Sequence, residues 1–106
     1  MVAQFDVCSN LGQRRAVYPY FVVVQSNEFA AMKQRVVVPM TTMTALYPRS
    51  YAPHFQIAGI EVVADPLLMF SIPTEKLGER VLSLAEDDAV GIMSAIDRVL
   101  SSAYRS

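Results

Sequence analysis

Nucleophilic catalysis needs a base, usually histidine, within hydrogen-bond reach of a serine or cysteine. This chain has a single histidine, His54 in the stretch YAPHF, and a single cysteine, Cys8. No third partner stands at a telling spacing, so His54 reads as a loop or surface residue and Cys8 as a small core residue. One Cys and one His cannot supply the short-spaced ligands of a zinc site. The run Glu86-Asp87-Asp88 offers oxygen ligands, but at a helix start such residues complement the positive end of the dipole. The four glycines, at positions 12, 59, 78 and 91, are isolated, so no phosphate-cradling loop is present. The expectation is a protein with no catalytic residues, no metal and no cofactor.

The basic residues are more suggestive. Arg14 and Arg15 are adjacent, and Arg35 joins them if the strands pair. Guanidinium forks grip acidic groups bidentately. With Asp6 the same three arginines form an imaginable phosphate-cleaving set, although one lone histidine and weak charge speak against a ribonuclease. The formal net charge is −1, but residues 1–50 carry five Lys/Arg against two Asp/Glu, and residues 51–106 carry four against eight. A basic first half suits an acidic protein partner. Its candidate contact is the loop holding Gln13, Arg14 and Arg15. Direct nucleic-acid binding, which shows as a clustered basic face, is not expected.

The elements that position these residues follow from periodicity. Gln4 to Cys8 alternates, with Phe5 and Val7 on one side and Gln4, Asp6 and Cys8 on the other, as in a half-buried strand. Ser9 to Arg15 reads as a hairpin loop. Val17 to Gln25 is β-branched and aromatic, a strand with Pro19 at its edge or start. Ser26 to Gln34 is a second loop, and Arg35 to Val38 a third strand stopped by Pro39. Thr41 to Pro48 is a turn of helix or a crossover. Phe55–Ile57 and Ile60–Ala64 flank Ala58-Gly59 as a hairpin, and Leu67 to Ile72 reads as a buried strand. From Val81 the apolar residues recur at steps of three and four, which gives a helix, with Ser83 and Glu86 as its capping box. The fold class is mainly β: a small twisted barrel of five or more antiparallel strands with one long C-terminal helix.

The chain has 106 residues, room for one domain, yet 53% are apolar and 18% charged. That is rich for a small monomer, whose surface is large for its volume. Some apolar excess is expected at an interface, and a homodimer would use it. One cysteine excludes an intrachain disulfide. The opening residues lack the pattern of a signal peptide, and no window is apolar enough for a membrane span. A cytoplasmic location is expected.

In order along the chain, Gln4-Phe5, YFVVVQSN (20–27), RVVVP (35–39), IP (72–73), GERV (78–81) and SAID (94–97) resemble the CcdB family of plasmid-addiction toxins. The pieces occur at close to the family's spacing over nearly the whole chain, with small length differences near residues 11–17 and 85–90. The resemblance implies a CcdB-type, SH3-like barrel, related to MazF-like toxins, and a homodimer. It implies the toxin of a type II toxin-antitoxin system, which binds the A subunit of DNA gyrase and traps gyrase on cleaved DNA. A CcdA-type antitoxin, whose disordered segment wraps the toxin, is then the partner facing Gln13, Arg14 and Arg15. Carried over residue by residue, the gyrase contacts are Phe29, Asp97, Leu100, Ser101, Ser102 and Ala103, with Tyr104 beyond them. The family's tail ends Phe-Trp-Gly-Ile. Here Leu100, Ser101, Ser102 and Ala103 stand at those positions, and the chain has no tryptophan. An alternative is therefore a CcdB-like protein that binds an antitoxin or other partner and has lost gyrase poisoning.

Overall fold

The computed structural model describes residues 2–49 and 52–101. Its strands are β1 (Asp6–Asn10), β2 (Tyr20–Val23), β3 (Gln34–Thr41), β4 (His54–Ile57), β5 (Ile60–Ala64), β6 (Phe70–Pro73) and β7 (Leu77–Ser83), followed by helix α1 (Glu86–Leu100). They form one curled antiparallel sheet in the order β4-β5-β3-β2-β1-β7, with β6 also on β3. The mainly-β fold with a C-terminal helix is as expected.

β3 is the hub. One edge pairs with β2; the other pairs first with β6, over Gln34–Val37, and then with β5, over Met40–Thr41. Pro39 does not end this strand, contrary to expectation. Its carbonyl accepts from the Asp65 N–H, so its missing N–H faces the gap where β3 changes partner and no ladder donor is required.

Both faces of the central strands are covered, which explains why VVV runs replace strict alternation. Val7, Val22, Val38, Met40, Phe55 and Val62 make the main core with Ile92 and Ile96 of α1. Phe21, Val23, Val37 and Ile72 make a smaller cluster on the other side, packed by Val2 and Leu77.

Other expectations shift. The first strand starts at Asp6, after Phe5 in a left-handed conformation (φ 71°), and runs to Asn10. Its second face, with Asp6 and Cys8, is as buried as the first. Of Leu67 to Ile72, Pro66–Leu68 is a turn of 3-10 helix, and only Ile72 of that apolar run is buried. Residues 77–83 form a strand rather than the start of the helix. Ser83 donates its hydroxyl to the Asp6 carboxylate instead of capping. The helix begins after Ala85, which makes no side-chain cap, although its acidic first turn is as read. The hairpin at Ala58-Gly59 is as read. No helix among the described residues is long and apolar enough to cross a membrane.

Candidate functional site

Phe29 ends a turn of 3-10 helix, Asn27–Phe29, none of whose residues is buried. The turn's backbone bonds, from the Phe29 N–H to Ser26 and from the Ala30 N–H to Asn27, are reinforced by polar side chains. Ser26 accepts from the Glu28 N–H, and the Asn27 side chain accepts from the Gln4 N–H at 2.8 Å. Gln25 donates to the Phe29 carbonyl at 2.9 Å and accepts from the Val36 N–H at 2.8 Å. Arg35, 4% exposed, donates to the carbonyls of Phe29 (3.1 Å), Met32 (3.4 Å) and Ala30. The residues of the QSN and Arg-apolar-Pro motifs are thus the scaffold of one loop. Phe29 stands half exposed on it.

This corrects the reading of Arg35. It does not join Arg14 and Arg15; the two loops lie at opposite ends of β2. Asp6 is also spent elsewhere. Buried between β1 and β7, it accepts from the Ala3 N–H at 2.8 Å and from Ser83, with the Arg80 guanidinium 3.9 Å away. The imagined phosphate-cleaving set of three arginines and Asp6 is not assembled.

Gln13, Arg14 and Arg15 are exposed on the loop before β2. That loop is built on buried Asn10. Its amide donates to the Tyr18 carbonyl at 2.7 Å, and its oxygen accepts from the Gly12 N–H at 2.7 Å. A Cβ at Gly12 would stand 3.0 Å from that oxygen, so glycine suits the close approach. The Arg14 guanidinium lies 5.5 Å from the centre of the Tyr18 ring, a cation-π distance. Arg15 donates to the Gly12 carbonyl at 3.0 Å.

On α1, Ala89, Ile92, Ala95 and Ile96 face the core. Val90, Met93 and Leu100 are left exposed. A depression of about 590 Å³ lies against Phe5, Ala89, Val90 and Met93, bordered by Glu86, Ser94 and Asp97. Phe29 and Leu100 do not line it. At the helix end the Ser101 N–H and hydroxyl both turn back to the Asp97 carbonyl, and the hydroxyl also reaches the Asp97 carboxylate at 3.2 Å. Ser102, Ala103 and Tyr104 lie outside the described residues.

His54 is the first residue of β4, not a loop residue, and its side chain is nearly buried. Its Nε2 sits 3.0 Å from the Tyr47 carbonyl and its Nδ1 3.6 Å from the Glu61 carboxylate. Partial burial alone would raise the Glu61 carboxyl, but Arg49 and His54 outweigh it and hold the group below its ordinary range. Cys8 is fully buried; burial, and then Asp6, push its thiol up against a smaller opposing pull from Arg80. Among the described residues no three His, Cys, Asp or Glu side chains gather where a metal ion could be held.

Comparison with known proteins bears on the fold and the family. No curated protein matches this chain in sequence. A similar solved structure is an endoribonuclease in complex with its cognate antitoxin from a mycobacterial species. The two superpose with a TM-score of 0.73 at 12% identity, over 93% of this chain and 92% of that one. At that identity the likeness is one of fold. The family profile described as CcdB protein matches residues 4–102. That span takes in the Phe29 scaffold, the arginine loop and the whole of α1, and it places the chain in the CcdB family.

Proposed function

We propose that this chain is the toxin of a type II toxin-antitoxin pair and acts as a protein inhibitor without chemistry of its own. The observation that carries this reading is the CcdB match over residues 4–102. The dispersal of Arg35 and Asp6 into structural roles supports it over a ribonuclease built on those residues. The shared fold with a toxin held by its antitoxin supports an antitoxin as partner. The gyrase A subunit is the proposed target, met through Phe29 and the end of α1 from Asp97 onward.

Target poisoning requires a surface that binds one conformer of the target better than the others, because only differential affinity shifts a population. Aromatic anchors commonly carry about 2 kcal/mol or more of such binding, roughly a thirtyfold factor. Here Leu100 and Ser101 replace the family's aromatic pair, and Ser101 is folded back on Asp97. The wild-type chain should therefore poison gyrase weakly. A variant carrying Ser101→Trp, Ser102→Gly and Ala103→Ile, ending at residue 103, should be at least about tenfold more potent. Supercoiling inhibition and DNA cleavage with purified gyrase measure both. If the wild-type chain traps cleaved DNA as well as the variant, the affinity lies elsewhere on its surface.

A further inference from the structure

A pocket of about 420 Å³ lies beside Val2 and Leu77, bordered by the loop from Ala30 to Lys33 and by Thr74. Arg35 and Lys33 line it, and no Asp or Glu does. Neither cation forms an ion pair among the described residues. The Arg35 guanidinium spends its terminal nitrogens on the carbonyls of Phe29, Ala30 and Met32. Its Nε–H is buried and finds no acceptor among the described residues. A buried donor left unpaired is costly, more so on a charged group, and a buried charge wants a counter-charge. Thr74 is tied to the same loop, its N–H donating to the Lys33 carbonyl at 2.9 Å.

We propose that this pocket binds a phosphate group, either the free ion or a phosphate monoester. One dianion supplies the counter-charge that Arg35 lacks, an acceptor for its Nε–H, and a partner for the Lys33 ammonium and the Thr74 hydroxyl. Charge-assisted bonds of this kind are the strong ones. A carboxylate brings one charge and two oxygens; a phosphate monoester brings nearly two charges and three acceptor oxygens. A water molecule would satisfy the Nε–H but leave the charge of Arg35 without a counter-charge. Val2, Met32 and Leu77 give the pocket an apolar side, on which the organic part of a monoester can lie. The bound group braces the same guanidinium that holds the turn carrying Phe29, so filling the pocket firms that turn. The proposal does not depend on the toxin reading.

The test is calorimetric titration of the purified chain with inorganic phosphate and, separately, with phenyl phosphate, at an ionic strength held constant with sodium chloride. A dissociation constant of about 1 mM or tighter is expected for at least one of them. Tighter binding of phenyl phosphate assigns the pocket to a monoester, and equal binding assigns it to the free ion. Lys33→Gln should weaken binding about tenfold and Thr74→Val about threefold. Arg49→Gln, the same charge change at the β4–β5 end, should have no effect. Removing Arg35 would disturb the fold, so its part is read in the wild-type chain by NMR. The Arg35 Nε–H signal should move during the phosphate titration with the same dissociation constant as the heat. Saturating phosphate should also slow protease cleavage within residues 27–33 severalfold. No binding of either probe at about 10 mM, or binding that leaves the Nε–H signal in place, would overturn the site. Equal losses from Lys33→Gln and Arg49→Gln would mean a diffuse field and overturn it as well. Unchanged cleavage at saturation would overturn the link to the Phe29 turn.

Discussion

Arg35 carries a charge into the protein and meets only carbonyls there. Hydrogen bonds to a charged group contribute roughly 1.5–3 kcal/mol each, and a buried acceptor left without its donor costs about as much as the bond it lost. Arg35→Ala should therefore destabilise the fold by about 3 kcal/mol and expose the segment 27–33 to proteases. Arg35→Lys, which lacks the fork, should recover only part of this. Urea denaturation gives the first quantity and limited proteolysis the second. Cys8 makes the opposite kind of prediction. Its thiol is buried and held above its ordinary range, so a thiol reagent near pH 8 should label it only after unfolding. Tyr47 is also raised, first by burial and then by donating to Asp65 at 2.8 Å. For both groups the unfolded chain loses its proton first as pH rises. Their contribution is intact below the unfolded values and falls above roughly pH 8.5–10. Denaturation midpoints should drop over that range, and Tyr47→Phe should lessen the drop.

Two elements carry correctable costs. The β4–β5 hairpin turns through Ala58 at φ 51° and Gly59 at φ 80°, a pair of left-handed residues of the kind a two-residue hairpin uses. Ala at the first position costs about 1 kcal/mol or more, so Ala58→Asn should recover about 1 kcal/mol. Gly91 lies inside α1, where an added Cβ would meet nothing. Gly91→Ala should gain about 1 kcal/mol. The two sites do not touch, so the double variant should gain about 2 kcal/mol. Thermal unfolding checks each. The hairpin was legible in sequence because Ala58-Gly59 punctuates two β-branched runs. The strands β2 and β3 were legible from their β-branched and aromatic runs, but their pairing was not. The sequence pattern starts α1 too early because Val81, Leu84 and Ala85 fall at helical steps, while Leu77–Ser83 is drawn onto β1 by long-range pairing. The candidate sites divide in the same way. Exposed Arg14 and Arg15 advertise themselves, but Arg35 is held by carbonyls, which every residue carries, so sequence gives no sign of its partners. Lys76 is remote from Arg14 in the chain, and the pairing of β1 with β7, continued by the Leu11–Lys76 bond, brings their segments together.

At the scale of the molecule the question is where the apolar excess goes. The Cα radius of gyration is 13.1 Å, as expected for a compact chain of about 100 residues. The fold is therefore not leaving apolar surface open by being loose. Even so Leu11, Phe29, Met32, Leu67, Val90 and Leu100 are each half exposed or more. Apolar side chains spread singly over a surface need no explanation. Here Val90 and Met93 share one depression with Phe5 and Ala89, and contiguous apolar patches mark contacts. A two-fold contact between copies would cover such a patch twice over, burying about 800 Å² per partner in a standard interface. The chain should sediment as a dimer at micromolar concentration. Because such a contact would rest on Phe5, Val90 and Met93, with no Lys or Arg lining the depression, raising salt should not dissociate the dimer. Val90→Asp would place a charge in that patch on both copies and should shift the protein towards monomer by tenfold or more in dissociation constant, about 1.4 kcal/mol. Analytical ultracentrifugation over a concentration series reads all three outcomes. A wild-type chain that stays monomeric at micromolar concentration would end the self-association claim, and the exposed stripe on α1 would then belong to the surface offered to other proteins.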